Sequence, residues 1–329
     1  AGLPPWSTSP TWKNSELPAA MSGGAIQCVK SGVIGHGRKR PQVQESCPMK
    51  RLLSSIAPKR RPTRVLNLLL VLAMVGTVDA ETDAGTDPDG SCAAGLGQMH
   101  TLEGQALDDE LDILSWNIQK ASNEGWAEDL ANISGGVQLA FIQEASLQAQ
   151  IPRAIPTPLV QAFAAGYTTS GQSTGVLTLS ASNPSLHCNL TAWEPLLGTP
   201  KATSVTEYPL RDRDDRLLAI NLHAVNFTLG LENFQQQFRA LGDLLRRHEG
   251  PVIFAGDLNT WSESRQTLVD RFMQDHGLGA VTFEPDLRTT AFGRALDHVY
   301  VRGMRATFAQ VIPVSSSDHN PLRVRLAIQ

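Results

Sequence analysis

Val252-Ile-Phe-Ala-Gly-Asp-Leu-Asn259 is the stretch from which the rest of the chain can be read. Val252 to Ala255 are apolar and follow Gly250-Pro251, so they form a short buried strand that the Gly256 step then ends. That strand carries Asp257 and Asn259 out at its C-terminal end. Similar apolar runs occur at Leu111 to Trp116, Leu139 to Gln143, Leu217 to His223, Leu296 to Val301 and Leu322 to Ile328, with a further strand at Thr203 to Tyr208. Between two of them, Leu231 to His248 sets Leu231, Phe234, Phe238, Leu241, Leu244 and Leu245 on one helical stripe, which is a core face, and Gly250-Pro251 stops the helix. Strands alternating with amphipathic helices, without an internal repeat, give an α/β pattern.

The polar residues of interest follow the strands: Asn117, Glu144, His223, Asp257 with Asn259, and Asp297. They are expected at C-terminal strand ends, where a strand holds its last side chain firmly and the next loop leaves room for a ligand. Phosphoester hydrolysis needs a cation to neutralise charge, a base to activate water, donors for the phosphoryl oxygens and help for the leaving oxygen. These residue types supply all four. Taken singly each has a plainer explanation: a Glu after an apolar strand is ordinarily solvated, and Gly-Asp-Leu-Asn is also turn composition. Asp318-His319-Asn320-Pro321 joins a carboxylate to an imidazole that suits a phosphate, although a turn before the last strand accounts equally for Asn-Pro.

In order, Leu114-Ser-Trp-Asn-Ile118, Phe141-Ile-Gln-Glu144, Asn221-Leu-His-Ala224, Gly256-Asp-Leu-Asn259, Leu296-Asp-His-Val299 and Ser317-Asp-His-Asn-Pro-Leu322 resemble the motifs of the endonuclease/exonuclease/phosphatase superfamily, the relatives of deoxyribonuclease I. The likeness runs from about 110 to 328. Asn221 to Gly230, Gly250-Pro-Val-Ile253 and Ala291-Phe-Gly-Arg294 add a resemblance to the bacterial YafD-type branch, which brings no known substrate. The resemblance implies a four-layered α/β/β/α sandwich, two packed mixed sheets flanked by helices, and a hydrolase dependent on magnesium or manganese. It further implies that Glu144 ligates the metal with Asn117 beside it, and that Asp318 adds a contact. Asp257 would orient or deprotonate water, Asn259 would donate to the phosphate, His319 would contact the phosphoryl oxygens with Asp297 orienting its ring, and His223 would protonate the leaving oxygen.

The chain departs from the family at Gln119, where abasic-site endonucleases keep a second acidic ligand; a neutral amide implies weaker magnesium binding. Lys201, ahead of the Thr203 to Tyr208 strand, is either added positive charge over the phosphate or an ordinary surface lysine. Trp116 is expected in the core, Trp261 as a wall of the site, and His298 on the strand face opposite Asp297. Asn132, Asn189 and Asn226 sit in Asn-x-Ser/Thr sequons, and a glycan on Asn226 would crowd His223. Ile151 to Gly175 and Asp212 to Arg216 are expected to be specificity loops.

Residues 101–329 hold 17 Lys/Arg against 25 Asp/Glu, a net of −8, which weakens long-range attraction to nucleic acids without forbidding a local basic groove. The expected partner is therefore a phosphoester: nucleic acid by analogy with many relatives, or a phospholipid or sphingolipid head group for an exported enzyme. No obligate protein partner is indicated and the chain reads as a monomer. A non-catalytic member that only binds a phosphorylated ligand or protein is the competing class, against which Glu144, Asp257 and His319 are all retained.

Lys59-Arg-Arg-Pro-Thr-Arg64 followed by the apolar run to Val78 and by Val78-Asp-Ala80 reads as a signal peptide, with an uncleaved anchor as the alternative. The expected organisation is a leader or over-extended gene start at 1–48, the signal peptide at 49–80, an acidic Gly-rich linker at 81–106 and the catalytic domain at 107–329. Export is thus favoured over a cytoplasmic location. Cleavage after Ala80 would leave Cys92 and Cys188, which either pair in an oxidising compartment or stay as two thiols.

Overall fold

The computed structural model describes residues 91–97, 106–169, 171–228 and 230–329. The expectations for 1–48 and 49–80 lie outside the described residues. The elements in chain order are α1 (Ser91–Gly95), β1 (Glu110–Asn117), α2 (Trp126–Ile133), β2 (Leu139–Ser146), β3 (Val160–Thr169), β4 (Gln172–Ser180), β5 (Leu186–Glu194), β6 (Thr199–Pro209), β7 (Arg216–His223), α3 (Glu232–Arg247), β8 (Val252–Asp257) and α4 (Glu263–Asp275). There follow β9 (Gly279–Ala280), β10 (Thr290–Ala291), β11 (Arg294–Ala295), β12 (Asp297–Arg302), β13 (Met304–Val311) and β14 (Leu322–Ile328).

Twelve of these strands form two six-stranded mixed sheets, ordered β13-β14-β1-β2-β4-β3 and β5-β6-β7-β8-β12-β9. Alternation of side chains explains the layers. Leu111 and Ile113 of β1, Leu139 and Phe141 of β2, Leu217 and Ala219 of β7, Ile253 and Ala255 of β8, and Val299 and Val301 of β12 meet between the sheets as one buried cluster. The opposite faces, Leu218, Ile220 and Leu222 of β7 with Phe254 of β8, bury against Phe234, Phe238, Leu241, Leu244 and Leu245 of α3. Leu114 and Trp116 of β1 bury on the other flank with Leu130 and Ile133 of α2. The result is the α/β/β/α sandwich, and the α3 stripe is core. Among the described residues no helix is long and apolar enough to cross a membrane.

The same period that makes the inter-sheet core places the site. One same-face position beyond the apolar pairs on β8 and β12, and two beyond on β1 and β7, the inter-sheet faces carry Asp257, Asp297, Asn117 and His223, and β7 and β8 run parallel with His223 opposite Asp257. Asp297 does not close its strand; it opens β12. Because β12 is antiparallel to β8, with Asp297 paired to Asp257, its N-terminal end reaches the same edge. Beneath this row Gln143 donates to Asn221 Oδ1 at 2.7 Å, so a second polar layer joins the sheets.

Two expected loops are otherwise. Ile151 to Gly175 holds a 3-10 turn, β3 and the start of β4. Asp212 to Arg216 links β6 to the start of β7, the opposite end of that strand from His223, and so cannot shape the site. Within the stretch expected as linker, α1 docks on the second sheet: buried Cys92 joins its core and is bonded to Cys188 of β5, with Cα atoms 5.7 Å apart.

Candidate active site

Asp257 is the centre of the cluster, 2 % exposed. Gly256 before it has φ 147°, and a Cβ there would lie 2.0 Å from Leu222 O, so only glycine lets β8 approach β7 this closely. Asp257 Oδ2 accepts from Asn117 Nδ2 at 3.0 Å, and Oδ1 accepts from the Asn259 backbone N–H at 3.0 Å. His319 Nδ1 lies 2.7 Å from Asp297 Oδ2, and its Nε2 lies 3.9 Å from Asp257 Oδ2. The loop that carries His319 is tied to β1: Trp116 Nε1 donates to His319 O at 2.9 Å and Ser317 Oγ donates to Asn117 O at 2.7 Å. Trp116 is therefore a core residue that also anchors the site.

Glu144 is not a residue after its strand. It lies within β2 at φ 49°, where the register with β4 slips between Ile142 and Ala145. Three steps on β2 match two on β4 there, Ile142 to Ala145 against Leu177 to Gly175, which is a β-bulge. Regular alternation would send Glu144 to the helix side with Ile142; the bulge instead brings its Oε1 to 3.9 Å from His223 Nε2. Lys120 Nζ sits 3.4 Å from the other carboxylate oxygen.

His223 Nε2 is 3.6 Å from Asp257 Oδ2 and 3.2 Å from Lys201 Nζ. An ammonium only donates, so the imidazole nitrogen accepts and the ring proton resides on Nδ1. Lys201 lies inside β6, not ahead of it. Its ammonium is 3.9 Å from Glu194, a residue that the sequence did not single out. Glu194 is fully buried; one oxygen takes the backbone N–H groups of Asn226 and Phe227, both at 2.6 Å, and the other takes Thr199 Oγ1 at 3.2 Å. It fixes both the lysine and the segment after His223. A glutamate ending a turn-flanked amphipathic strand carries no local sign of that role.

Burial moves the charges apart. Loss of hydration raises the Asp257 carboxyl to about 6, with His319 opposing and Asp297 adding to the rise. Burial disfavours a charged His319, yet the adjacent Asp297 carboxylate, then Asp257 and Asp318, lift it to about 10. His223 is held well below its ordinary value by burial, reinforced by Lys201, His319 and Lys120. The site thus pairs a protonated His319 with a neutral His223.

Asn259 is buried at φ 48° and donates Nδ2 to Ala224 O at 3.0 Å, leaving its second amide hydrogen uncommitted by that bond. Asn117 Oδ1 accepts from Gln119 N at 3.1 Å, while Gln119 Oε1 is engaged by Asn123 Nδ2 at 2.6 Å. Asp318 is exposed; its carbonyl accepts from Thr289 Oγ1, and its carboxylate is not among the clustered ligand atoms. Trp261, expected as a wall of the site, donates to Asn226 Oδ1 at 2.9 Å and meets Phe292 at 6.1 Å between ring centres, and it does not line the cavity bounded by Glu144, His223 and Lys201. That bond engages the Asn226 side-chain oxygen and leaves the amide nitrogen of the sequon to other contacts. His298 is buried in a polar contact with Thr260 at 2.7 Å, away from the site.

Ligand atoms of Asp257, Asp297 and His319 lie within 4.8 Å of one another. His319 Nδ1 is committed to Asp297 Oδ2 at 2.7 Å, and an imidazole nitrogen suits magnesium or manganese less well than oxygen does. Hard oxygens at Glu144 and Asn117 are the better fit for magnesium or manganese, which retain several waters and prefer carboxylate and amide oxygen. Lys120, half exposed on its own flexible stem, is the ammonium that would have to move aside from Glu144.

Sandwich, strand-edge carboxylates and paired imidazoles define a deoxyribonuclease I-like protein. The family model described as Endonuclease/Exonuclease/phosphatase family matches residues 114–319, and the chain belongs to that family. A UPF0294 protein of Vibrio vulnificus is 40 % identical over 242 residues, covering 70 % of this chain and 84 % of that protein. A UPF0294 protein of Yersinia pseudotuberculosis is 39 % identical over 216 residues, 65 % of this chain and 82 % of the relative. These are the YafD-type relatives that the motifs resemble. In fold the chain is similar to an endonuclease/exonuclease/phosphatase family protein from Leptotrichia buccalis, with a TM-score of 0.52 at 12 % identity over 66 % of this chain and 100 % of that one. The human Nocturnin catalytic domain with bound sulfate aligns with a TM-score of 0.50 at 14 % identity, over 68 % and 96 % of the two chains. Members of the family are generally hydrolases of phosphoester bonds, and membership supports a phosphoesterase.

Proposed function

We propose that this chain is a divalent-cation-dependent phosphodiesterase that works by in-line attack of water. The observation that carries the reading is the buried Asp257, fixed on both oxygens by Asn117 and Asn259, beside a protonated His319. Asp257 takes a proton from the attacking water as the water oxygen bonds to phosphorus and the bond to the leaving oxygen breaks. The His319 imidazolium, oriented by Asp297, donates to the phosphoryl oxygens, and Asn259 is placed to donate beside it. On the Glu144 side, the Lys201 ammonium supplies charge and a proton for the departing oxygen, while neutral His223 holds that ammonium in place. Magnesium or manganese, held by Glu144 with Asn117, would neutralise phosphoryl charge. Asp318, exposed, contributes through its charge near His319.

Nuclease action on DNA or RNA is one form of this chemistry; hydrolysis of a lipid head group or of a phosphomonoester is another. The reading also places the enzyme outside the cytosol, supported by the Cys92–Cys188 bridge and the signal-like segment before it. The deciding assay is turnover of bis(4-nitrophenyl) phosphate with magnesium by wild type, Asp257→Asn and His319→Ala. Both variants should lose about 10²-fold or more in kcat/KM. Equal rates in all three would remove the proposed site, and no magnesium dependence would remove the cation.

A further inference from the structure

The reacting groups open on one side into a cavity of about 340 Å³, entered past Glu144, His223 and Lys201. It lies between the outer strands of the two sheets. Gly166 and Tyr167 of β3 and Gly175 of β4 line one wall, and Leu197, Pro200 and Ala202 of the β5–β6 hairpin line the other. Its base is closed. Ala164, Val176 and Ala202 pack together as a buried cluster beneath it, and a Cβ on Gly166 would come within 3.0 Å of Pro200 O. The sheets touch there through the smallest residues, so no chain can continue through the base. At the same time the volume lies at the low end for small-molecule sites.

We propose that this cavity receives one substituent of the phosphate as a compact terminal group, no larger than a single sugar ring, so that the enzyme acts on small or end-presented phosphodiesters and not within an uninterrupted strand. This inference rests on the phosphodiesterase reading above and names its substrate class. Two features carry it. The cavity is continuous with His223 and Lys201, so a group within it is joined to a phosphate at Asp257 without a spacer. Its flanks, the Tyr167 ring and the Leu197 side chain, are partly exposed and stand on separate hairpins, as walls that grip an inserted group from both sides. The net −8 over residues 101–329 agrees, because a polyanion threaded past the site would need a basic track beyond it.

The test uses the full chain with magnesium and three substrates: glycerophosphocholine, a linear single-stranded oligodeoxynucleotide, and the same sequence ligated into a closed circle. Turnover of glycerophosphocholine or of the linear strand from one end, with the circle untouched, is the expected result. Leu197→Trp, at an exposed turn position, should narrow the cavity and raise KM for the preferred substrate about tenfold with kcat largely kept; Tyr167→Ala should raise it by removing one wall. Thermal melts of both variants report whether they fold. Cleavage of the circle as fast as the linear strand overturns the inference while leaving the phosphodiesterase reading intact, and so does an unchanged KM in both folded variants. No turnover of any substrate, with Asp257→Asn indistinguishable from wild type, overturns the parent reading and this one together.

Discussion

Asp257 acts as a base only when ionised, and burial raises its carboxyl to about 6. His319 serves the phosphoryl oxygens only when protonated, and Asp297 keeps it so up to about 10. Activity should therefore climb with pH through about 6, hold a plateau, and fall through about 10, since the first limb requires loss of a proton from Asp257 and the second marks its loss from His319. A bound cation favours the carboxylate, so the acid limb should move to lower pH as magnesium is raised, which kcat/KM profiles at two magnesium concentrations would show. His319→Gln should remove the part of the alkaline limb that belongs to His319 and leave any part that belongs to the proton donor of the leaving oxygen. Glu194 acts through Lys201 and is a positioning residue: Glu194→Gln should lower kcat by about tenfold with little change in KM, because a neutral amide no longer holds the ammonium against His223. A fall in thermal stability with unchanged kinetics would instead make Glu194 purely structural.

At the scale of elements, two local irregularities aim the site. The β2 bulge turns Glu144 from the helix side to the site, and the loop before β14 is hung on β1 by Trp116 and Ser317. Trp116→Phe keeps most of the buried ring but removes the N–H bonded to His319 O. It should cost about 1–3 kcal/mol of stability, because the carbonyl loses its partner in a dry place, and should lower kcat by loosening His319. Urea unfolding together with steady-state kinetics measures both, and a variant as stable and as fast as wild type would show that this bond is idle. The α3 stripe was legible from its 3.6-residue period because Phe238, Leu241 and Leu245 all bury against β7 and β8. By contrast β3, β5 and β13 escaped notice: they are edge strands whose apolar residues are interrupted by polar and exposed ones. Their pairing comes from neighbours far along the chain, and a weak pattern in one strand says nothing of those neighbours.

For the whole molecule, α1 is joined to the catalytic domain through Cys92–Cys188 across 96 residues of sequence. Cys92→Ser with Cys188→Ser should lower stability by about 2–4 kcal/mol in urea titration and leave kcat/KM unchanged, the bridge lying in the helix-side core and not between the sheets. Loss of activity equal to the loss of stability would tie α1 to the site. By itself the sequence determined the strand and helix periods, the sandwich family and the ordered set Asn117, Glu144, His223, Asp257, Asn259, Asp297 and His319, since apolar alternation and short motifs are local properties of the chain. Only the tertiary structure decided that Asp297 arrives from the start of its strand, that Glu144 is turned by a bulge, that Asp318 stays exposed, that His223 is held well below its ordinary pKa, and that Glu194 and a half-open cavity floored by small residues stand beside them. Those outcomes depend on strand direction, register and burial, and each is set by contacts between residues that the sequence leaves far apart.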